Sequence, residues 1–407
     1  MTGGMGVRMG GQVLVFLVVA RALGVEGYGA YAAVLSLASA FGGLAGFGVN
    51  ALLVRDVARG QFDFNEAWGR ALAGFWVSIP PLLLAYLGLA RLALPEAVSW
   101  PPVIAIGLAE VVMAPLLFAA VSAFQAHERM DRAAWMVVVP VVPRVLAALA
   151  LAVLGQAMSP AWRLPIWSLL YAGAALLATG YAFARVRAEL GRASALPWSL
   201  APSLWREGYA FSIGGMALKL YSEIDKTMLA RLASLEAAGV YSAGYRAVDM
   251  ANVPMRALLS SAMPRFFRAG ADGHRHALGY ALRVAPAPMV YADGIGVAMY
   301  WAADLLPWLL GEAYRESAVA VRYLAFLPLA AAPRMLLQSA LGGSGRQGVA
   351  VSILVMGAAA NILLNLWLIP LWGWRGALTA TYAVELMMMA AMTAGVWIGG
   401  RTRYSDV

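Results

Sequence analysis

The feature that most limits what this chain can become is a series of unbroken apolar runs, each about as long as a bilayer is thick. A helix needs ~20 mostly apolar residues to cross hydrocarbon. Runs of that kind occupy 5–22, 28–53, 69–93, 101–124, 133–155 and 165–184, then 208–232, 239–263, 278–303, 318–341, 349–370 and 376–398. In lipid only helices and closed barrels satisfy their own backbone groups, and barrel strands alternate apolar and polar residues over ~10 positions. These runs do not alternate. The expected fold is all-α, a polytopic membrane protein of about 12 transmembrane helices.

Composition agrees: of 407 residues 62% are hydrophobic and 13% charged, which excludes an ordinary soluble domain. Cysteine is absent, so disulfides, thiolate nucleophiles and Cys-based metal sites are excluded. The formal charge of +9 would fit a nucleic-acid partner only if the cations formed a patch, and instead they punctuate the apolar runs. With the N-terminus inside, fifteen arginines from Arg55 to Arg403 fall on the cytoplasmic side, against six outside: Arg21, Arg91, Arg163, Arg231, Arg315 and Arg375. That asymmetry predicts both termini in the cytoplasm, at a bacterial inner membrane, and no nucleic-acid partner.

The chain also repeats itself. At an offset of 210 residues, Arg21, Glu26, Gly29, Tyr31, Ala33, Arg55 and Gly60 fall on Arg231, Glu236, Gly239, Tyr241, Ala243, Arg265 and Gly270 without a gap. The shared pattern sits at the predicted outer turn between helices 1 and 2, and again between helices 7 and 8. Pro80 and Pro81 find a looser counterpart in Pro286 and Pro288. Halves of six helices each have the same orientation, so an axis along the membrane normal relates them. The expected organisation is an N-lobe over 1–184, a cytoplasmic interlobe linker over 185–207 with Trp198 and Trp205, a C-lobe over 208–398 and a cytoplasmic tail over 399–407. Parallel repeats place a substrate cavity on the pseudo-two-fold axis and alternate its access.

The stretch 20-ARALGVEGYGAYAAV-34, with Arg55 after helix 2, resembles the opening of the polysaccharide flippases, the Wzx-like branch of the multidrug/oligosaccharidyl-lipid/polysaccharide superfamily. Later stretches agree in order: Asp225 with 238-AGVYSAGYRA-247, 311-GEAYRESAVAVRYLAFLP-328 and 361-NILLNLWLIPLWGWRGALTATYAVE-385. The resemblance implies a transporter, not an enzyme, that moves an undecaprenyl-diphosphate-linked oligosaccharide across the bilayer. Membrane lipids and glycan-assembly proteins are the other implied partners.

Ionisable groups at mid-bilayer are costly, ~2.5–3.5 kcal/mol each on insertion scales, and therefore face a cavity or a partner. The cations within the runs are Arg8, Arg144, Lys219, Lys226, Arg246, Arg256, Arg283, Arg322 and Arg334; the acids are Glu110, Glu223, Asp225, Asp249, Asp293 and Glu385. Under the repeat Arg8 corresponds to Leu218, one residue from Lys219, so helices 1 and 7 each bring a cation to nearly the same place. If these helices border the cavity, as the resemblance implies, Arg8 and Lys219 suit a diphosphate, with Arg256 third, because guanidinium and ammonium groups bind phosphate oxygens as fork and point charge. The competing reading pairs Lys219 with Glu223 one turn on and lets Arg8 reach the headgroups.

Glu110 and Arg144 lie at similar predicted depth and read as a structural pair. Arg246 and Asp249 read as a second, local one. Asp225 and Asp293 are candidates for coupling to H+ or Na+, the alternative being neutralisation of cations such as Lys226. Glu385 has no identifiable partner. The glycines at 10, 11, 42, 43, 46, 48, 214 and 215 read first as helix-packing positions. His127, His274 and His276 read as loop residues, not metal ligands. No P-loop or G-x-S-x-G elbow is present, so cofactor-driven or hydrolytic chemistry is not expected. The alternative function is a cation-coupled multidrug or metabolite antiporter of the same superfamily.

Overall fold

The computed structural model describes residues 2–194 and 201–398; Trp198 of the expected linker and the tail 399–407 lie outside them. Among the described residues every regular element is helical. The first, α1 (Thr2–Gly42), absorbs two apolar runs. At Gly24 the backbone turns to φ 71° and ψ 174°, a conformation that glycine adopts without a Cβ penalty. The rings of Phe16 and Tyr28 lie 5.6 Å apart, whereas twelve residues of straight helix would separate them by ~18 Å. The chain therefore folds back into two limbs, 2–23 and 25–42. The 210-residue offset carries Gly24 onto Ser234, which caps α10 (Leu235–Ala271) by accepting from the Ala237 N–H at 2.9 Å. The reversal at Gly24 and the helix start at Ser234 thus occupy the same position in the repeat.

The second run, expected to be continuous over 28–53, is interrupted at 43–48 before α2 (Val49–Ala58). Gly46, Phe47 and Gly48 all have positive φ, so the i→i−4 ladder cannot pass through them. Tight turns replace it: Leu44, Ala45, Phe47 and Val49 each donate to the carbonyl three residues back. Gly46 N–H instead donates to Ser78 Oγ at 2.8 Å. Ser78 belongs to α3 (Phe64–Ala93), which starts with Asp63 accepting from the Glu66 N–H, a side-chain N-cap.

The next span combines α4 (Trp100–Gly107), a π-helical turn over Leu108–Met113 and α5 (Ala114–Ala126). Then come α6 (Met130–Val138) and α7 (Val141–Leu154), parted at Pro140, and α8 (Pro160–Glu189). The remainder is α9 (Ala201–Leu232), α10, α11 (His274–Val284), α12 (Pro286–Ala302), α13 (Leu305–Leu310), α14 (Arg315–Leu324), α15 (Leu327–Gly343), α16 (Gln347–Trp372) and α17 (Trp374–Ile398). Among the described residues seven helices are long and apolar enough to cross a membrane, or eight when the pair Glu312–Leu324 and Leu327–Gly343, bent by 44°, is taken as one span. The first of these is the folded-back α1. Charge-bearing α9 and α10 fall outside that apolar set, and α11 and α12 are each shorter.

The chain forms two compact units, Met1–Arg231 and Leu232–Val407. Helix α9 belongs with the first, whereas the sequence reading opens the second half at 208. Thr227 Oγ1 donates to the Ala33 carbonyl at 2.9 Å, and Ser36 Oγ donates to the Glu223 carbonyl. Unit 1 has a core around Leu53, Trp68, Phe75, Phe124 and Met136; unit 2 has one around Met255, Phe266 and Leu336. Both turn large apolar groups outward: Leu84 is 70% exposed, Val290 73% and Trp301 78%. Such a surface suits hydrocarbon as solvent. Close helix approach replaces hydrophobic drive there, as where a Cβ on Gly11 would strike Val141, or one on Gly376 the Leu368 carbonyl.

Candidate functional site

In unit 1 several membrane-embedded charges occupy one depth. Arg8 lies sixteen residues before the reversal at Gly24 and Gly43 nineteen after it, or about 24 and 28 Å along their limbs at 1.5 Å per residue. Lys219 is at the second of these levels, its Cγ 3.8 Å from where a Gly43 Cβ would stand. The register of α9 on the second limb, Thr227 at Ala33 and Glu223 at Ser36, leads to the same place. Glu110 joins them because Gly42 packs on its carbonyl, and Arg144 because Gly11 packs on Val141 and Val145 of α7. Arg144 is also within electrostatic reach of Arg8.

Glu110 projects from the π-helical turn, where the inserted residue shifts the side-chain register; such turns recur at functional sites. Its Oε1 accepts from Tyr171 Oη at 2.5 Å and lies 3.9 Å from an Arg144 guanidinium nitrogen. That guanidinium stands 4.9 Å over the Tyr171 ring, an arrangement in which the ring face attracts the cation. Among the described residues this level brings together Arg8, Arg144 and Lys219 with the carboxylate of Glu110.

Lys219 is exposed, and among the described residues no carboxylate stands within ion-pair distance of it. Glu223, its partner in the competing sequence reading, is bound instead by Lys226 at 2.8 Å. Lys226 also donates to the Ser222 carbonyl and lies 3.8 Å from Asp225. Asp225 is 2% exposed and accepts from the Lys226 N–H. This second group brings together Lys226, Glu223 and Asp225, on the side of Lys219 toward the outer turn.

In unit 2, Arg256 of α10 and Asp293 of α12 are exposed, and among the described residues neither has an ion-pair partner. Arg246 stands 3.6 Å from Asp249 one turn on. Two features of this unit escape sequence reasoning. Glu385 is gripped by Arg334 at 2.6 and 3.2 Å, with Gln338 as a further acceptor for the guanidinium at 3.1 Å. Asn361 and Asn365, fully buried one turn apart on α16, bond to each other at 2.9 Å, and Tyr241 meets Thr381 at 3.2 Å. Within α16 the i, i+4 spacing of the asparagines was the available signal; Arg334 and Glu385, 51 residues apart on different helices, offered none.

Among solved structures the chain is similar to an inward-facing multidrug-resistance MATE-family transporter of the MOP superfamily, with 13% identity, 96% of this chain and 94% of that one covered, and a TM-score of 0.73. It is similar to the lipid II flippase MurJ in an inward closed conformation, at 10% identity, 98% and 88% coverage and a TM-score of 0.71. A MOP-superfamily transporter from Pyrococcus furiosus, whose binding pocket is described as of reverse polarity, matches at 13% identity, 98% and 94% coverage and 0.65. At these identities the likeness establishes the fold. No curated protein matches the sequence. The profile of the family described as "Polysaccharide biosynthesis protein" matches residues 1–269. Spanning more than half of its residues, that match shows that the chain belongs to the polysaccharide biosynthesis protein family.

Proposed function

We propose that the chain is a flippase that translocates a polyprenyl-diphosphate-linked oligosaccharide from the cytoplasmic to the outer leaflet of the bacterial inner membrane, by alternating access. The observation that carries this reading is the surplus of Arg8, Arg144 and Lys219 over Glu110 at one depth of unit 1. Cations in excess of their acidic neighbours attract an anion that compensates them, and a diphosphate supplies several oxygens to a guanidinium fork and an ammonium point charge. Arg8 and Lys219 are its first contacts; Arg256, in the other unit, is a separate candidate that Arg256→Ala tests in the transport assay. Family membership supports a glycan-assembly role, and the likeness to MurJ and MATE proteins supports a transport fold.

In this reading 1–184 and 208–398 act as lobes joined by 185–207, with both termini cytoplasmic. No covalent step is required of any residue. The test is transbilayer movement of an undecaprenyl-diphosphate oligosaccharide in proteoliposomes holding this protein alone, compared with empty vesicles and with Lys219→Ala. Movement that needs both the protein and Lys219 supports the reading; equal movement with and without Lys219 rejects the diphosphate contact. The alternative is cation-coupled antiport, favoured by buried Asp225 beside Lys226. Substrate movement that occurs only under an imposed H+ or Na+ gradient and is lost in Asp225→Asn would favour it; Asp293→Asn tests the second carboxylate.

A further inference from the structure

The internal repeat allows the same turn to be compared in both units. In unit 1 the segment 55–66 joins α2 to α3; its counterpart 265–276 joins α10 to α11. Across the offset the acids Asp56, Asp63 and Glu66 become Phe266, Gly273 and His276, while Ala58 and Asn65 become Arg268 and Arg275. Arg59 is lost to Ala269 and Asp272 is gained in place of Phe62. Unit 1 therefore carries two arginines and three acids over this segment, and unit 2 three arginines, two histidines and one acid.

The structure shows what those exchanges do. Arg55 is held by Asp56 at 2.8 Å and by Glu207 at 2.9 Å, and Asp63 caps α3. Its counterpart Arg265 is exposed, and among the described residues it has no ion-pair partner; the same holds for Arg268, Arg275 and, two turns along α11, Arg283. Gly273 offers no side-chain cap. The only acid in the segment, Asp272, is itself exposed. Gly270 packs directly on Gly343 and Ser344, which brings Arg346 to the same end of the unit. Phe267 and Leu282 are exposed at 56% and 67% among these arginines. Cations interspersed with outward apolar groups at a helix end suit the headgroup level of a bilayer, where the charge meets phosphate and the side chains meet acyl chains.

We propose that the α10–α11 turn of unit 2, with Arg265, Arg268, Arg275 and Arg283, is a binding surface for anionic phospholipid headgroups. The occupant is a phosphodiester lipid of the surrounding leaflet. A zwitterionic headgroup offers no net charge to four uncompensated guanidinium groups, whereas a phosphatidylglycerol-class headgroup does. The surface is separate from the mid-depth charges of unit 1, so it stands whether or not the flippase reading holds.

The experiment is native mass spectrometry of the full chain released from micelles containing equal phosphatidylglycerol and phosphatidylcholine. Wild type is expected to retain the anionic lipid preferentially. The variant Arg268→Ala/Arg275→Asn/His276→Glu installs the residues that unit 1 carries at these positions. It is expected to lower that preference by at least about 25-fold, at roughly fivefold per arginine removed, with the carboxylate added at position 276 acting in the same direction. Thermal unfolding in phosphatidylcholine alone checks that the variant folds. If it does not, Arg268→Ala alone, with about a fivefold loss expected, decides. Equal retention of the two lipids by wild type, or an unchanged preference in the folded variant, overturns the proposal. Displacement of the bound lipid by millimolar inorganic phosphate, to the same extent as by added phosphatidylglycerol, overturns it in favour of a free-phosphate site.

Discussion

Arg334 holds Glu385 through two hydrogen bonds, of 2.6 and 3.2 Å, with both side chains less than a tenth exposed. The pair ties α15 to α17 inside unit 2. Removing one member strands the other charge, at a cost of about 3–5 kcal/mol, whereas replacing both by apolar groups of similar volume is far milder. Glu385→Ala should therefore lower the thermal unfolding temperature or folded yield sharply, and Arg334→Leu/Glu385→Leu should recover most of it. An additive double variant would show that the two side chains act independently.

Lys219 should behave in the opposite way. Exposed, and with Glu223 committed to Lys226, it contributes little to folding. Lys219→Ala is expected to keep the unfolding temperature of wild type while reducing oligosaccharide flipping at least tenfold, and Lys219→Arg to retain most of it. Parallel transport and melting measurements separate the two effects. A fall in both together would mean that Lys219 is structural.

Tyr171 couples to the same level through Glu110. A hydrogen bond to a charged group contributes about 1.5–3 kcal/mol, so Tyr171→Phe should destabilise unit 1 by that order, and less so when Glu110 is already Gln. A double-mutant cycle on thermal or denaturant unfolding measures the coupling. Zero coupling would contradict the 2.5 Å contact.

Two glycines of α1 make a matched pair. A Cβ at Gly10 meets nothing within 4 Å, while one at Gly42 would collide with the Glu110 carbonyl. Gly10→Ala should be neutral or stabilising by up to ~1 kcal/mol through helix propensity. Gly42→Ala, forced against backbone, should cut folded yield. Detergent-extracted yield and melting temperature of the two variants side by side provide the check.

The architecture was legible because bilayer solvent imposes a one-dimensional rule: continuous apolar length means a spanning helix. The repeat was legible as well, and its shared position carries the reversal at Gly24 in one unit and the N-cap Ser234 in the other. The interruption at 43–48 was hidden, since hydropathy sums over residues and does not see φ. Its glycines were visible at 42, 43, 46 and 48, yet packing and positive φ demand the same residue. Ion pairing followed the same limit. Glu223 has a lysine four residues before and another three after, both within helical reach, and the fold pairs it with Lys226. Arg334 and Glu385 meet through tertiary packing alone.

The interruption at Gly43–Gly48 also has a mechanical meaning. A continuous helix transmits a bend along its whole length, because every turn is tied to the next; six residues held by three-residue turns, with Ser78 as an outside brace, form a torsional joint. Since the Lys219 side chain lies against Gly43 at the edge of this joint, any force on that ammonium acts at the point where the rod is weakest. Limb 25–42 and α2 can then take different angles while each keeps its own hydrogen bonds, and in the proposed reading the ammonium offered to the diphosphate sits at that joint.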